Sequence, residues 1–380
     1  MDGQLEGGVV RLGDDARQRF HDSRGYGRPL DGGALALAPV EAAHLLARGD
    51  LGSIDGMGLR AFLETVEGRE GDVGTDFLVY ADLRERGFYL SPAREGWLRG
   101  DRAAEGGRAV DGAIDFLVYP RGQGPWDGDV AYRVRCVGER ETTPAADLGE
   151  VILAVVDEEG ELSYFETERP TIDGTTEHVL PTGVPGSLLA DRVVLWNPPD
   201  ALYERSFYGQ RLGGRDAEGG PVQLSLVEAA FLAARGAIVL TGDGDVDDAD
   251  GANGGGDGTV ADDEAAAANA EATVVERGRA LEGERFGRRL AAYSSLRERG
   301  VVPKTGFKFG ADFRTYADVE SVDQLGHSEH LVRVLPRGHA FSLRDLALDV
   351  RLAGGVRKRM AFALTDGSTV DWLSVSRLTP

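Results

Sequence analysis

The sequence predicts an α/β (α+β) fold used twice in tandem, and three observations carry that expectation. Five sequence blocks recur in the same order, about 190 residues apart. Within each copy, stretches with apolar residues at helical spacing come before short β-branched or alternating stretches. The chain has 380 residues, 42% of them hydrophobic and 28% charged, which is enough for about two to four compact units.

The first block is "VEAAHLLARG" (40–49) against "VEAAFLAARG" (227–236). Upstream of it, "GYGRPL" (25–30) resembles "FYGQRL" (207–212). Downstream, "YADLRERGFYL" (80–90) resembles "YSSLRERGVVP" (293–303), "DFLVY" (115–119) matches "DFRTY" (312–316), and "YRVRCV" (132–137) parallels "HLVRVL" (330–335). The seam falls near 182–198. The second copy is longer by about 26 residues, and its extra length lies in a Gly-, Ala- and Asp-rich run from Gly242. That run offers almost nothing to bury, so residues 242–272 are expected to form a disordered acidic insertion. Asp243, Asp245 and Asp247 have the spacing of a calcium loop. The position that needs glycine is Asp248, however, and the closing glutamate position is Gly254, which argues against calcium.

In the second copy, "LSLVEAAFLAARGAI" predicts a helix with Ser225 at its N-cap, and "RLAAYSSLRERG" a second helix stopped by Gly300. Strands are expected at "FGADFRTYA", "HLVRVLP", "RMAFALT" and "VDWLSVSRL", with a helix begun by Ser342 in "SLRDLALDVRLAGGVRK". Each copy thus reads as a small helical or mixed first part followed by a strand-rich second part.

The net charge is −22, from 64 Asp+Glu against 42 Lys+Arg, and only Lys304, Lys308 and Lys358 are lysines. An acidic surface repels nucleic-acid phosphates in dilute salt. A chain rich in carboxylates and poor in lysine is also what a salt-adapted cytoplasm selects, because strong salt screens the repulsion between carboxylates. No run of about eighteen apolar residues predicts a membrane span. The first residues lack the basic start and apolar core of a signal peptide. The single Cys136 excludes an internal disulfide framework and a multi-cysteine zinc site. A cytoplasmic protein is expected, without a metal or cofactor.

The copies differ in their polar residues. Tyr316 matches Tyr119, His327 falls opposite Asp129, and Lys358 falls opposite Glu150. Taken singly, these are a packing tyrosine, a surface histidine and a solvated lysine. Together, near strand ends of one copy, they form a catalytic set. No GxSxG, HExxH or GxxxxGK[ST] motif is present, and Val356, two residues before Lys358, is not a carboxylate. A base, an acid and a cation without a carboxylate cluster suit metal-free phosphoryl chemistry on RNA, whose 2′-OH is its own nucleophile.

The runs "VVPKTGFKFGADFRTY", "HSEHLVRVL", "GGVRKRMAFAL" and "VDWLSVSR" closely resemble the archaeal tRNA-splicing endonucleases. The first copy resembles that family's degenerate, non-catalytic repeat. The resemblance implies a degenerate copy with an N-terminal part at 1–75 and a nuclease-like part at 76–180. It implies a second copy with an N-terminal part at 181–290 and a catalytic nuclease part at 291–380. It implies a metal-independent endonuclease that excises introns from precursor tRNA at bulge–helix–bulge sites, with Tyr316 as base, His327 as acid and Lys358 as transition-state stabiliser. A phenol with the reference pKa of about 10 is a poor base at neutral pH, so an exchange of roles between Tyr316 and His327 stays open. By position, Arg351 and Arg377 match the arginines that clamp a bulged base. Asp157, Glu158 and Glu159 match an acidic loop that docks one subunit of a homodimer onto the other. The alternative is a non-catalytic RNA-binding or structural paralogue of the same fold.

Overall fold

A computed structural model of the chain describes all residues except 14, 69–71, 95–96, 98–113, 178, 215–218, 242–259, 320–321 and 323–325, and only the backbone of 260–263. The described chain divides into two compact units. The first is 1–168, 340–351 and 375–380, and the second is 169–339 and 352–374.

The first unit begins with β1 (Asp2–Glu6), β2 (Val9–Leu12), β3 (Arg28–Pro29), β4 (Leu35–Leu37), α1 (Pro39–Ala47) and β5 (Ser53–Ile54). Their sheet has the order β3-β4-β2-β1-β5, antiparallel except for the parallel pair β1/β5. Next come α2 (Leu59–Val66), α3 (Val73–Glu85), β6 (Leu90–Pro92), β7 (Phe116–Val118), β8 (Tyr132–Gly138), β9 (Thr142–Pro144), β10 (Val151–Val156) and β11 (Leu162–Glu168). Here the order is β6-β7-β8-β10-β11, with β8/β10 parallel.

The second unit repeats this plan. It starts with β12 (Val184–Leu188), β13 (Arg192–Leu195), α4 (Asp200–Glu204), β14 (Gln210–Arg211), β15 (Val222–Ser225), α5 (Leu226–Ala233) and β16 (Ile238–Leu240). The order is β14-β15-β13-β12-β16, and β12/β16 is again the parallel pair. Then follow α6 (Val260–Glu282), α7 (Glu284–Glu298), β17 (Val302–Thr305), β18 (Phe313–Tyr316) and β19 (His330–Pro336). The chain continues through β20 (Ala340–Ser342), which pairs with β9, α8 (Leu343–Gly355), β21 (Arg359–Thr365) and β22 (Val370–Leu378). Here the order is β17-β18-β19-β21-β22, with β19/β21 parallel.

Local chemistry accounts for these elements. Ser225 caps α5 by accepting from Glu228 N, and Glu228 returns a bond to Ser225 N at 3.0 Å. In the first unit Ala38 stands in the serine's place, and Glu41 alone keeps its half, accepting from Ala38 N at 2.9 Å. α7 ends where Gly300 takes φ +73°, a conformation that strains residues with a Cβ. β10 reads "VILAVV" and is buried throughout, as expected for a strand with a parallel neighbour on one side and covered faces.

The N-terminal parts are mixed, as the sequence allows, each with a five-stranded sheet and a helix. The structure departs from the sequence reading in three places. The expected boundaries at 75/76 and 290/291 fall inside α3 and α7. The proposed disordered insertion does not extend to 272, because α6 begins at Val260; Ala and Glu favour helix, and Ala270 and Val274, one turn apart, are buried. Residues 242–259, including Asp243, Asp245 and Asp247, lie outside the described residues. Finally, ladder register matches Lys358 to Gly149 rather than Glu150, since His330 pairs with Arg359 while Val134 pairs with Ile152.

Within the second unit a buried arginine ties the two halves together. Arg297 on α7 is 3% exposed. It donates to Ser206 O (2.9 Å), Phe207 O (3.1 Å) and Tyr293 Oη (2.9 Å), and its Cζ lies 3.9 Å from the Tyr208 ring centroid. In the first unit Arg84 does the same, donating to Arg24 O at 2.9 Å with its Cζ 4.1 Å from the Tyr26 ring centroid. Beside them, the equivalent glutamates diverge. Glu228 lies 3.6 Å from Lys304; burial pushes its carboxyl up, but Lys304 and two backbone N–H donors leave it below the ordinary value. Ser91 replaces that lysine in the first unit, and burial pushes Glu41 up to about 7.

Two predictions follow from this packing. Arg297→Met strands three buried oxygens and lowers stability by roughly 2–4 kcal/mol, read as a shift of the denaturant midpoint. The pH dependences of the two glutamates have opposite signs. The stability tied to Glu41 is complete below its unfolded pKa near 4.5 and is lost as pH rises through about 7, a change on the order of 3 kcal/mol. The stability tied to Glu228 is present above pH 4.5 and is lost as pH falls through its depressed value. In melts from pH 4 to 8, Glu41→Gln therefore flattens the decline on the alkaline side, and Glu228→Gln destabilises most at neutral pH and least in acid.

Candidate active site

The ladder of the second unit gathers three separate segments at one end of its sheet. β19 and β21 run parallel, so their starts lie side by side, and antiparallel β18 brings its last residue, Tyr316, to the same end. Three main-chain and side-chain bonds stitch these segments together. Glu329 N donates to Thr315 O and Arg359 N donates to Glu329 O, each at 3.0 Å. Lys358 Nζ donates to Ser328 O at 2.8 Å. Lys358 is thereby fixed to the residue beside His327, which is exposed, while Tyr316 is buried on the strand joined to that same segment.

The turn that delivers Lys358 is tight. Arg357 has φ +57°, its N–H bonds Gly354 O at 3.0 Å, and Lys358 N bonds Ala353 O at 2.9 Å. The Lys358 ammonium lies 5.9 Å from the Phe309 ring centroid. Its pKa is held below the ordinary lysine value, first by burial and then by the charge of Arg314.

Arg314 is the site residue that the sequence reading passed over. It lies two residues before Tyr316 on β18, on the same face, with its Cζ 5.7 Å from the Tyr316 ring centroid. The signal was present in the sequence, since "DFRTY" has arginine where "DFLVY" has Leu117.

The other expected residues lie elsewhere. Arg351 on α8 and Arg377 on β22 are exposed, and neither side chain makes an ion pair or hydrogen bond among the described residues. They fall in the first unit, whereas Tyr316, His327 and Lys358 fall in the second. Asp157, Glu158 and Glu159 form the turn between β10 and β11. Asp157 Oδ1 accepts from Glu159 N and Glu161 N, each at 2.9 Å, and Glu158 pairs with Arg140 at 2.6 Å.

Among the described residues, the side chains clustered closely enough to share a metal ion are Asp76, Asp115 and Cys136, in the first unit. Burial and the facing Asp115 push Asp76 up to about 7. At the matching place in the second unit, Asp312 is paired instead with Arg285 and Arg289. No helix among the described residues is long and apolar enough to cross a membrane.

The chain matches two known protein families. The family described as tRNA intron endonuclease, N-terminal domain, matches twice, at 1–63 and 184–249. The family described as tRNA intron endonuclease, catalytic C-terminal domain, matches 286–372, the stretch that holds Tyr316, His327, Lys358 and Arg314. The chain is 56% identical to the tRNA-splicing endonucleases of Haloferax volcanii, over 381 residues, and Haloarcula marismortui, over 382, covering 100% of each chain. It is 36% identical to that of Methanosarcina mazei, over 99% of this chain and 98% of the other. Matches of this length and identity leave one assignment: the chain belongs to the tRNA-splicing endonuclease family.

Proposed function

We propose that the chain excises introns from precursor tRNA at bulge–helix–bulge sites by a metal-independent transesterification that leaves 2′,3′-cyclic phosphate and 5′-hydroxyl ends. One observation carries this reading: Lys358 is held on the main chain beside His327, at the sheet end where β18 finishes in Tyr316. In the proposed step one of Tyr316 and His327 takes the proton of the 2′-OH as the 2′-O–P bond forms. The other gives a proton to O5′ as the P–O5′ bond breaks, and Lys358 balances the charge gathered on the phosphorane oxygens. Metal independence follows from the roles proposed, since a base, an acid and a cation account for the protons and the developing charge without an ion.

The substrate follows from the relatives, each described as a tRNA-splicing endonuclease. Arg351 and Arg377 are proposed to stack on an extruded base. Stacking of a guanidinium plane loses less in strong salt than phosphate pairing does, which reconciles an RNA substrate with a charge of −22. The matching strand orders of the two units and the double match of the N-terminal family support a tandem duplication. One chain carries one complete set, whereas a bulge–helix–bulge presents two cuts, so a two-fold homodimer is proposed. Asp157, Glu158 and Glu159 of its acidic loop are the proposed docking residues; Asp157 also holds the turn, and Glu158 pairs with Arg140.

Purified protein in strong salt and excess EDTA is expected to cut an intron-containing precursor tRNA to cyclic-phosphate ends, and strict dependence on magnesium would remove the mechanism. Under those conditions Lys358→Ala cuts roughly 100–1,000-fold more slowly while RNA binding changes little. Replacing both Glu158 and Glu159 by lysine, with Asp157 left to keep the turn, is expected to give a monomer in sedimentation that cleaves poorly. An unchanged dimer would place the interface elsewhere.

A further inference from the structure

We propose that Arg314 is a second cation of the anion site, holding a non-bridging oxygen of the scissile phosphate alongside Lys358. The inference rests on the endonuclease reading above and extends it by one catalytic residue. Three observations meet at this side chain. Arg314 Nε is buried and has no hydrogen-bond partner, and no carboxylate lies within ion-pair distance of the guanidinium among the described residues. Leaving such a group unpaired is costly unless something else supplies the acceptor. The fully buried arginines of the same unit are provided for, Arg297 by three oxygens and Arg211 by Asp200 and Glu204, whereas Arg288 Nε on α7 shares with Arg314 Nε the lack of a partner.

The second observation is the company it keeps. Arg314 acts electrostatically on both Lys304 and Lys358, its cross-strand partner on β17 is Lys304, and its Cζ faces the Tyr316 ring. Of these cations only Lys304 has a carboxylate, Glu228. Two uncompensated cations beside the proposed base define a place for an anion. The third is the contrast between units. The matching strand β7 has Leu117 at this position, in the unit that lacks counterparts of His327 and Lys358.

The chemistry suits the pair. The phosphorane formed when the 2′-oxygen adds has two non-bridging oxygens carrying its charge. An ammonium offers a point donor to one, and a planar guanidinium offers a fork to the other. Arg314 transfers no proton. The 2′-OH proton goes to the base and the O5′ proton comes from the acid, as before.

The test is single-turnover cleavage of an intron-containing precursor tRNA, with binding read separately on an RNA carrying 2′-deoxy residues at the cut sites. Arg314→Leu, the residue of the first unit, is expected to slow cleavage on the order of 100-fold with binding changed less than about threefold. Arg314→Lys is expected to keep part of the rate, and added guanidinium to accelerate Arg314→Ala but not Lys358→Ala. Each variant is checked by its melting transition, and Arg314→Gln stands in for any that does not fold. Cleavage by Arg314→Leu within a few-fold of the native rate overturns the proposal. So does a slow, folded Arg314→Ala that guanidinium does not rescue, which would leave Arg314 only positioning the Tyr316 ring. Failure of the native protein to cleave at all overturns the endonuclease reading beneath it instead.

Discussion

Arg297 lies where the two halves of the second unit meet, and much of the rest hangs on how it is satisfied. Its guanidinium takes two consecutive carbonyls after α4, Ser206 and Phe207, and a hydroxyl on its own helix, with an aromatic face beneath it. Those bonds fix α7, and α7 leads through the Gly300 turn straight into β17. β17 is the partner that aligns β18, so the buried ion sets the height at which Tyr316 leaves the sheet. Lys304, on β17, continues the tie by donating to Gly209 O at 3.1 Å and facing Glu228. A charge buried on this scale is tolerable only because every direction it points has an acceptor.

The first unit keeps the frame and lets the electrostatics go. Arg84 repeats the clamp, but Glu41 has lost the lysine that Glu228 has, and burial then favours its neutral form. Asp76 stands where Arg289 would answer Asp115, leaving carboxylates face to face. In the first unit the groups that packing needs are in place, while the placement of charge differs from that in the second.

The sequence shows some of this plainly and hides the rest for physical reasons. The repeat, the Ser225 cap, the Gly300 stop and the strands carrying Tyr316 and Lys358 all leave local signatures, since caps and alternation are written in neighbouring residues. The N-terminal sheets do not, because strands such as Arg28–Pro29 and Gln210–Arg211 are two residues long and carry no period. α6 was hidden in a composition that reads as solvated, although alanine needs little burial to hold a helix that docks through Ala270 and Val274. Arg314 escaped because arginine is common in this chain, whereas the rarity of lysine drew notice to Lys358. That rarity has a structural counterpart: Lys304 and Lys358 each point a compact ammonium at a single main-chain carbonyl.

The bond from Lys358 to Ser328 has an evolutionary corollary. Its acceptor is a backbone oxygen, which every amino acid supplies, so residue 328 is free to drift without disturbing the lysine. What it cannot tolerate is a change in length. One residue gained or lost between His327 and β19, or between the Ala353 turn and β21, would present a different carbonyl and turn the lysine away. Selection on this corner should therefore appear as fixed spacing around variable letters, a pattern visible in gaps rather than in identities.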